Sequence, residues 1–320
     1  MNGEFPNQGL NFILGGNYQQ DRITEGGTNT LAAYSGLPPN TGLLVDDHTR
    51  YQALGFFANF GQEVFSQLTL TGGVRYTMAK ERLSGCLQDT GDDHAAAFFG
   101  GLSNLLRGAV GLPATEDFYS GDCVTLNDLP SVAGTPAYLT PYDADLSQDE
   151  HNIAWRGGLN YKPTADLLLY ALVSRGFKAG GIPAIRATNA TQMVPVKQEE
   201  LTSYETGIKS SLFDRMLQFN AAVFYYQYYN KQFYTVFPSI LGLIQTNSNI
   251  PQSMENGADI DMVMAPIQGL TLRAALTYIN TDIHNLTNKY YWTNVYNPAD
   301  TLARFTGLPR TFGATVSFNF

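Results

Sequence analysis

A regular alternation of apolar and polar residues over unusually long segments is the feature that most constrains the fold of this chain. In the last ten residues, Phe312, Ala314, Val316, Phe318 and Phe320 would share one face of an extended strand, and small polar residues would occupy the other. The same period of two recurs throughout the 320 residues. The sequence therefore predicts an all-β protein whose strands have one apolar and one polar face.

Ten segments follow this pattern, and all of them are long. A tilted strand crosses a bilayer with about 9–11 residues, whereas strands of soluble proteins average about 5–6. Each predicted strand is long enough to cross. The predicted strands are 8–23, 50–64, 66–82, 150–162, 166–178, 200–212, 216–234, 252–265, 269–285 and 309–320.

The connections between these strands alternate between short and long. A soluble sandwich or propeller has no reason to place every short turn at one end, whereas an up-and-down membrane barrel does. We therefore predict a portion of an antiparallel transmembrane β-barrel, with about ten strands, short turns on one side and long loops on the other. The short connections are 62–67, 163–165, 213–215 and 266–269, and the long ones are 24–49, 83–149, 179–199, 235–251 and 286–308.

Composition excludes several other classes of protein. The formal net charge of −9 argues against a nucleic-acid-binding protein, which needs a basic surface. No run of about 18 apolar residues exists, so a helical membrane protein is excluded. Hydrophobic residues make up 44% of the chain, which argues against disorder. Residues 1–30 show no basic region followed by an apolar one, so we expect no signal peptide within this chain.

The longest predicted connection, 83–149, contains the only two cysteines, Cys86 and Cys123. Two cysteines in one external loop suggest a disulfide, which suits an oxidising compartment. Two unrelated buried thiols are the alternative. Within the same connection, 95–111 is apolar and is expected to form a short helix packed on the barrel mouth.

Several stretches resemble motifs of one family, the TonB-dependent receptors of Gram-negative outer membranes. The first is VSRGFKAGG at 173–181, in which Ala179 stands where the family usually has proline. A second similarity is ETGIK within 200–214. The others lie in 256–270, 285–291 and 307–320, and the last of these resembles the family's C-terminal signature. The order of these stretches makes the resemblance specific, and it covers roughly residues 50–320.

The chain departs from the family in ways that suggest a partial barrel. The family has an N-terminal plug domain, a TonB-binding box and a barrel of about 22 strands, and none of these is expected here. The predicted strand 269–285 runs directly into the penultimate-strand signature at Asn285. We therefore expect residues 1–320 to be a C-terminal barrel portion without a plug, either a fragment or an internally shortened product, with 83–149 as a long extracellular loop.

The resemblance also implies a function and a set of partners. The parent would be an outer-membrane receptor that takes up a scarce nutrient such as a ferric siderophore, a small metal chelate. Energy would come from TonB and the inner-membrane complex, acting through the plug of the parent. Outer-membrane lipid would surround the barrel, and Phe318 and Phe320 resemble the C-terminal aromatic signal that the barrel-assembly machinery recognises.

Charged and aromatic residues supply the candidate site. Seven charged residues are expected to face the lumen of the barrel, where they would form either a hydrated polar wall that holds the plug by charge pairs or a path for the ligand. Tyr234 and Phe237, in an aromatic run over 224–237, are expected in an interfacial girdle or stacked on a ligand. The predicted lumen wall comprises Arg75, Arg156, Glu205, Lys209, Asp259, Asp261 and Arg273.

No motif indicates catalysis, a cofactor or a metal site. The four histidines lie outside any His-Glu-x-x-His pattern, and no Gly-x-Ser-x-Gly elbow or phosphate-binding loop occurs. We therefore expect a protein that is not an enzyme. Two alternatives stay open: a self-standing small barrel that acts as a pore or adhesin, and a soluble β-rich carbohydrate-binding protein.

Overall fold

The structure is a computed structural model. It describes residues 2–5, 8–30, 42–130, 137–183, 187–239, 242–284, 294–296, 303–305 and 312–318. Within those ranges the chain is almost entirely β-structure, with one α-helix and one short 3-10 helix. No helix among the described residues is both long and apolar enough to cross a membrane.

Eleven strands form one antiparallel sheet in which sequence neighbours pair, with the order β1 to β10 followed by β13. The predicted up-and-down topology is confirmed, and each of the ten predicted segments contains a strand. A separate pair, β11 and β12, lies outside this sheet. The strands are β1 (Asn2–Phe5), β2 (Leu10–Thr30), β3 (Gly42–Phe65), β4 (Leu68–Asp89), β5 (Ala144–Thr164), β6 (Leu167–Lys178), β7 (Glu199–Leu212), β8 (Leu217–Ser239), β9 (Gly242–Ile267), β10 (Leu270–His284), β11 (Asn294–Tyr296), β12 (Ala303–Phe305) and β13 (Phe312–Phe318).

The four fully described turns at one end of the sheet are tight. Two residues join β3 to β4, β5 to β6 and β9 to β10, and four residues join β7 to β8. Gly269, in the last of the two-residue turns, has a φ of 86°, a conformation that L side chains rarely adopt. We refer to this side as the turn end and to the opposite side as the loop end.

Several strands extend further toward the loop end than the alternation predicted. β4 continues to Asp89 and β5 begins at Ala144, so the connection predicted as 83–149 is 90–143. The predicted connection 235–251 is largely strand, because β8 pairs with β9 from Leu217 to Ser239. The cause is a change of pattern: near the loop end, the polar face of the sheet becomes apolar and the outer face becomes polar, so the alternation continues with its phase reversed.

Cross-strand pairing divides the sheet into two faces. The apolar face carries a band about five alternate residues high on each strand, including Phe60, Val74, Trp155, Leu169 and Val223. These side chains stay exposed: Phe60 is 51% exposed, Val74 48% and Val223 53%. An exposed apolar surface that extends over many strands needs an apolar environment outside the protein, and a bilayer provides one.

The sheet has β1 at one end and β13 at the other. β2 pairs with β1 on one side and with β3 on the other. Among the described residues, no ladder joins β13 to β1 or β2, and no separate plug-like domain accompanies the sheet. The described sheet therefore has two edge strands rather than the first-to-last pairing that a self-standing small barrel requires.

Candidate functional site

The polar face gathers the charged residues that the sequence singled out. Cross-strand partners can be followed from β4 to β10, since directly paired residues share a face. Arg75 lies opposite Ala154, and Arg156 lies opposite Gly73. By this register, one face contains Arg75, Arg156, Glu205, Lys209, Asp259, Asp261 and Arg273. The structure thus brings all seven to one surface, and their role in lining a lumen stays a prediction.

Two arginines dominate the polar face of β4 and β5. Arg75 Nη2 donates to Asn17 Oδ1 at 2.6 Å, and its Nε donates to Thr77 Oγ1 at 3.0 Å. Arg75 and Arg156 line a cleft of about 490 Å³ together with Phe57. Among the ion pairs of the described residues, none uses either guanidinium. This part of the wall therefore presents positive charge to whatever faces it.

Further along the face, carboxylates are held by neutral and aromatic neighbours. Tyr170 Oη donates to Glu205 Oε1 at 2.7 Å, and Lys209 Nζ lies 5.7 Å from the centroid of the Tyr170 ring. Asn220 Nδ2 donates to Asp261 Oδ1 at 3.4 Å. Contacts of this kind suit a polar wall whose hydrogen bonds are largely made within the wall itself.

At the loop end, the polar face becomes apolar and is covered. Leu43 and Val45 of β3 and Leu87 of β4 pack against the helix α1 (His94–Ala109) and the rest of connection 90–143. Leu83 packs against Ile182 and other residues of connection 179–198. The two connections therefore fold over the same face that carries the charged residues. We call the described parts of 90–143 and 179–198 the loop cap.

Asp89, the last residue of β4, organises the start of the cap. Its side chain is 2% exposed and accepts hydrogen bonds from five backbone N–H groups. Two come from the first turn of α1, where Ala95 N and Ala96 N lie 2.9 and 3.1 Å from Oδ2. The first turn of a helix has unpaired N–H groups and a positive dipole end, which a carboxylate satisfies.

The pKa of Asp89 reflects these contacts. β4 has 22 residues, about twice what a tilted strand needs to cross a bilayer, so Asp89 lies beyond the membrane-crossing part. Burial alone would raise the pKa of this carboxyl group, but the backbone N–H groups that donate to it, that of Ala96 first among them, hold the pKa below its ordinary value. The charged form of Asp89 is therefore the one that the cap binds.

A disulfide links the cap to the sheet. Cys86 of β4 is bonded to Cys123 of connection 90–143, with a Cα–Cα distance of 5.8 Å and a sequence separation of 37. Asp143 lies beside the two sulfurs. A metal ion would need thiolates there, and the disulfide has none. The two cysteines thus serve as a cross-link in this structure.

The second connection, 179–198, is attached to the polar face by carboxylates that the sequence did not single out. Glu81 Oε2 accepts from Ile182 N at 3.2 Å. Glu150 accepts from Gly180 N and from Gln198 N, each at 2.8 Å. Both carboxylates lie in strands, whereas their partners lie far away in sequence. No local pattern marks such residues, so only the folded register could reveal them.

Backbone hydrogen bonds join the two connections to each other. Leu126 N donates to Thr188 O at 2.9 Å, and Ala190 N donates to Leu126 O at 2.8 Å. Thr125 Oγ1 donates to Ala187 O at 2.8 Å. The cap therefore forms one hydrogen-bonded unit rather than two independent loops.

The predicted aromatic and terminal residues are placed only in part. Tyr234 lies in β8 near the loop end and is 44% exposed. Its neighbour Thr235 pairs with Thr246, whose Oγ1 donates to Gln192 O of the loop cap, so Tyr234 points to the opposite, outer face. Phe237 belongs to the same strand, and its side chain lies outside the described residues. Phe318 is in β13 opposite Leu270, whereas Phe320 lies outside the described part of the chain.

A cationic contact near this aromatic run was missed by the sequence analysis. Lys231 pairs with Glu255, and its Nζ lies 4.0 Å from the centroid of the Tyr228 ring. Both members of the ion pair are less than 20% exposed. The signal was present in the sequence only as one lysine within a run of tyrosines, because the partner carboxylate lies on another strand.

Comparisons with known proteins agree with this architecture. A family model described as "TonB dependent receptor-like, beta-barrel" matches residues 2–320. The chain is similar to the ferric yersiniabactin uptake receptor FyuA from Yersinia pestis, with a TM-score of 0.61 and 14% identity, covering 89% of this chain and 34% of that one. It is also similar to the ferric-catecholate import receptor Fiu from E. coli K12 in its closed form, with a TM-score of 0.55 and 15% identity, covering 89% and 37%.

A third similar structure is the copper transporter OprC, with a TM-score of 0.54 and 11% identity, covering 86% of this chain and 36% of that one. At these identities the likeness shows the fold alone. The chain spans about a third of the length of each of these proteins. The match of the family model extends over nearly the whole chain, and this chain therefore belongs to the TonB-dependent receptor-like β-barrel family, a family of outer-membrane receptors and transporters rather than enzymes.

Proposed function

We propose that this chain is the C-terminal barrel portion of an outer-membrane receptor that takes up a small metal chelate, such as a ferric siderophore. The observation that supports this most directly is the loop cap, which covers the loop end of a charged polar face while the opposite face is apolar. Such an arrangement suits capture at the outer mouth and passage along a polar interior. The similar structures include receptors named for ferric yersiniabactin and ferric catecholates and a copper transporter.

Transport in the parent would need parts beyond this barrel portion. TonB and its inner-membrane complex would supply energy through a plug, and this plug would rest against the polar face. Arg75 and Arg156 would pair with carboxylates of the plug, since no ion pair of the described residues uses them. Phe318 and Phe320 would serve as the signal to the barrel-assembly machinery.

The two edge strands favour a portion of a larger barrel over a self-standing pore. A strand edge in hydrocarbon leaves backbone N–H and C=O groups unpaired, at several kcal/mol for each group. Further strands of the parent would pair with β1 and β13. Connection 90–143 would then be extracellular, because long loops of bacterial barrels face outward.

The size of the native polypeptide tests this proposal. We expect an antibody raised against connection 90–143 to detect, in outer-membrane fractions, a band much larger than 35.1 kDa, with intact-mass spectrometry giving its length. A membrane band at 35.1 kDa would favour the self-standing pore. Detection in the soluble fraction alone would contradict a membrane protein of either kind.

Ligand capture predicts a role for the aromatic residues at the mouth. Replacing Tyr228, which lies on the polar face of the same aromatic run, by alanine in the full-length receptor should weaken binding of the chelate about tenfold, because an aromatic contact with a ligand commonly contributes this much. Binding is measured on whole cells with the radiolabelled metal chelate. Tyr234→Ala is the matched control, since Tyr234 lies on the same strand and is 44% exposed on the outer face. Equal effects of the two variants would place the ligand elsewhere, and Phe237 would be tested next.

A further inference from the structure

Three arginines lie side by side on the outer surface of the sheet. Register pairs Arg22 of β2 with Arg50 of β3, and Arg50 with Arg82 of β4. We call Arg22, Arg50 and Arg82 the arginine row. All three side chains are exposed, and they share the face that carries the apolar band. Directly opposed residues have Cβ atoms about 5 Å apart, and like charges at this spacing destabilise a sheet.

The protein itself does not neutralise this row. None of the ion pairs or side-chain hydrogen bonds of the described residues uses the three guanidinium groups. Nearby carboxylates on the same face have other partners: Asp149 pairs with Lys80 at 3.1 Å, and Asp46 lies 3.3 Å from His48 Nε2. Asp145 alone lines the groove beside the row. Three adjacent positive charges thus face at most one free carboxylate.

The position of the row along the strands indicates its surroundings. On β2, the apolar band runs from Leu10 to Tyr18, and Arg22 lies four residues beyond Tyr18. At about 3.3 Å per residue and a tilt of about 45°, the row lies about 9 Å above the end of the band. This distance corresponds to the headgroup layer, and a long arginine side chain can reach further toward it.

The row also lines a concave surface. Arg22, Arg50 and Arg82 border a groove of about 410 Å³ together with hydroxyl and imidazole groups, among them Thr24 and His48. Arginine binds phosphate oxygens through parallel N–H donors, so a row of arginines suits a ligand with more than one phosphate group. The apolar band directly below the groove is suited to acyl chains.

We propose that the arginine row binds the phosphate groups of a phosphorylated glycolipid of the outer leaflet, whose acyl chains lie on the apolar face of β2, β3 and β4. The negative charge of the lipid phosphates then compensates the repulsion between the three guanidinium groups of the arginine row. The proposal requires only that the barrel lies in the outer membrane. A receptor that took up no chelate would still bind the lipid, so this inference can fail or hold independently of the transport function.

Lipid A, which has two phosphate groups, is the probe. The full-length receptor is purified and delipidated in neutral detergent, and its thermal unfolding is followed by the heat-dependent shift in gel mobility while lipid A is titrated. We expect the triple variant Arg22→Gln/Arg50→Gln/Arg82→Gln to bind lipid A about 100-fold more weakly, because each arginine at an anionic surface contributes about fivefold. Without lipid, its unfolding temperature should equal or exceed that of the wild type, since the repulsion is gone.

The matched control changes the same charge on the opposite face. Arg75→Gln/Arg156→Gln/Arg273→Gln should leave the lipid A response unchanged. A triple variant of the row that binds lipid A as tightly as the wild type would overturn the proposal. Inorganic phosphate that stabilises the wild type as well as lipid A does would also overturn it, because the site would then be a simple anion site. If the triple variant fails to fold, Arg50→Gln alone is expected to weaken binding about fivefold.

Discussion

Replacing Asp89 by alanine is expected to release the start of the loop cap while leaving the sheet intact. The substitution removes an acceptor that five backbone N–H groups share in a site from which water is excluded. A hydrogen bond to a charged acceptor contributes about 1.5–3 kcal/mol, and an unpaired buried donor costs a similar amount. Even with water entering the vacated space, we expect the cap to lose at least about 3 kcal/mol of local stability.

Hydrogen exchange measures this loss directly. Amide protons in the first two turns of α1 should exchange about 100-fold faster in Asp89→Ala, because exchange from a folded segment follows its local opening free energy. Protons in the ladder between β4 and β5 should exchange as in the wild type. Asp92→Ala is the control: Asp92 is also an acidic residue before the helix, but its carboxylate accepts from one backbone N–H, that of His94 at 3.1 Å. Equal exchange in both variants would contradict the proposed role of Asp89.

The same carboxylate gives the cap a direction of pH dependence. Because the pKa of Asp89 is lowered in the folded state, its contribution is present in full above the ordinary aspartate pKa of about 4. The contribution falls as the pH drops through the lowered pKa of the folded state. The local opening of α1 that hydrogen exchange measures should therefore be independent of pH near neutrality and should increase only in strong acid. The substitution Asp89→Asn should abolish this increase in acid.

A lysine on the apolar face is expected to impair membrane insertion, whereas a lysine on the polar face is not. Val74 lies in the middle of the apolar band of β4, opposite Ala58 and Trp155. A charged residue facing lipid near the bilayer midplane costs about 2–4 kcal/mol. We therefore expect Val74→Lys to lower the unfolding free energy of the full-length receptor in lipid vesicles by this amount, measured by guanidinium titration.

Thr71→Lys is the matched control for this substitution. Thr71 lies on the same strand, three residues away, and pairs with Gly61 and Gly158 on the polar face. A lysine there would face a hydrated interior, so we expect a change below about 1 kcal/mol. If the two lysines had equal costs, or if Thr71→Lys had the larger one, the assignment of the two faces would be wrong.

The sequence was sufficient to predict the central part of the sheet. Between the turn end and about twelve residues beyond it, each strand has one face toward apolar surroundings and one toward polar surroundings, so the side-chain period is visible. In β4, for example, Leu68 to Met78 alternates with Thr69 to Thr77. The register follows from the tight turns, which bring Leu70 opposite Gln62 and Leu159. A short turn and a clear period together leave few alternative pairings.

The loop end was not predictable in the same way. There the faces exchange character: Leu83 and Leu87 lie on the polar face beneath the cap, and Arg82 lies on the apolar face. The period of two persists, but its phase reverses, so a strand that continues is indistinguishable from a loop that begins. The strands therefore ended too early in the sequence analysis, and the predicted connection 83–149 was too long.

The residues that hold the cap and the arginine row illustrate a second limit. Glu150 acquires its partners from residues 30 and 48 positions away. No local sequence pattern distinguishes Arg22, Arg50 or Arg82 from other exposed arginines. They form one charged surface only because three strands are aligned. A single sequence contains the residues but not their adjacency, which depends on the lengths of the intervening connections.

The hydrogen bonds between the two connections also limit how this surface can evolve. Exposed loops usually tolerate insertions, and bacterial surface loops often change independently under selection. Here the backbone of Leu126 is bonded to Thr188 and Ala190 of the other connection. An insertion near either partner would leave the other with unpaired groups, so we expect segments 123–128 and 187–191 to keep their lengths together across variants of this protein. Length variation should concentrate in the remaining stretches of each connection.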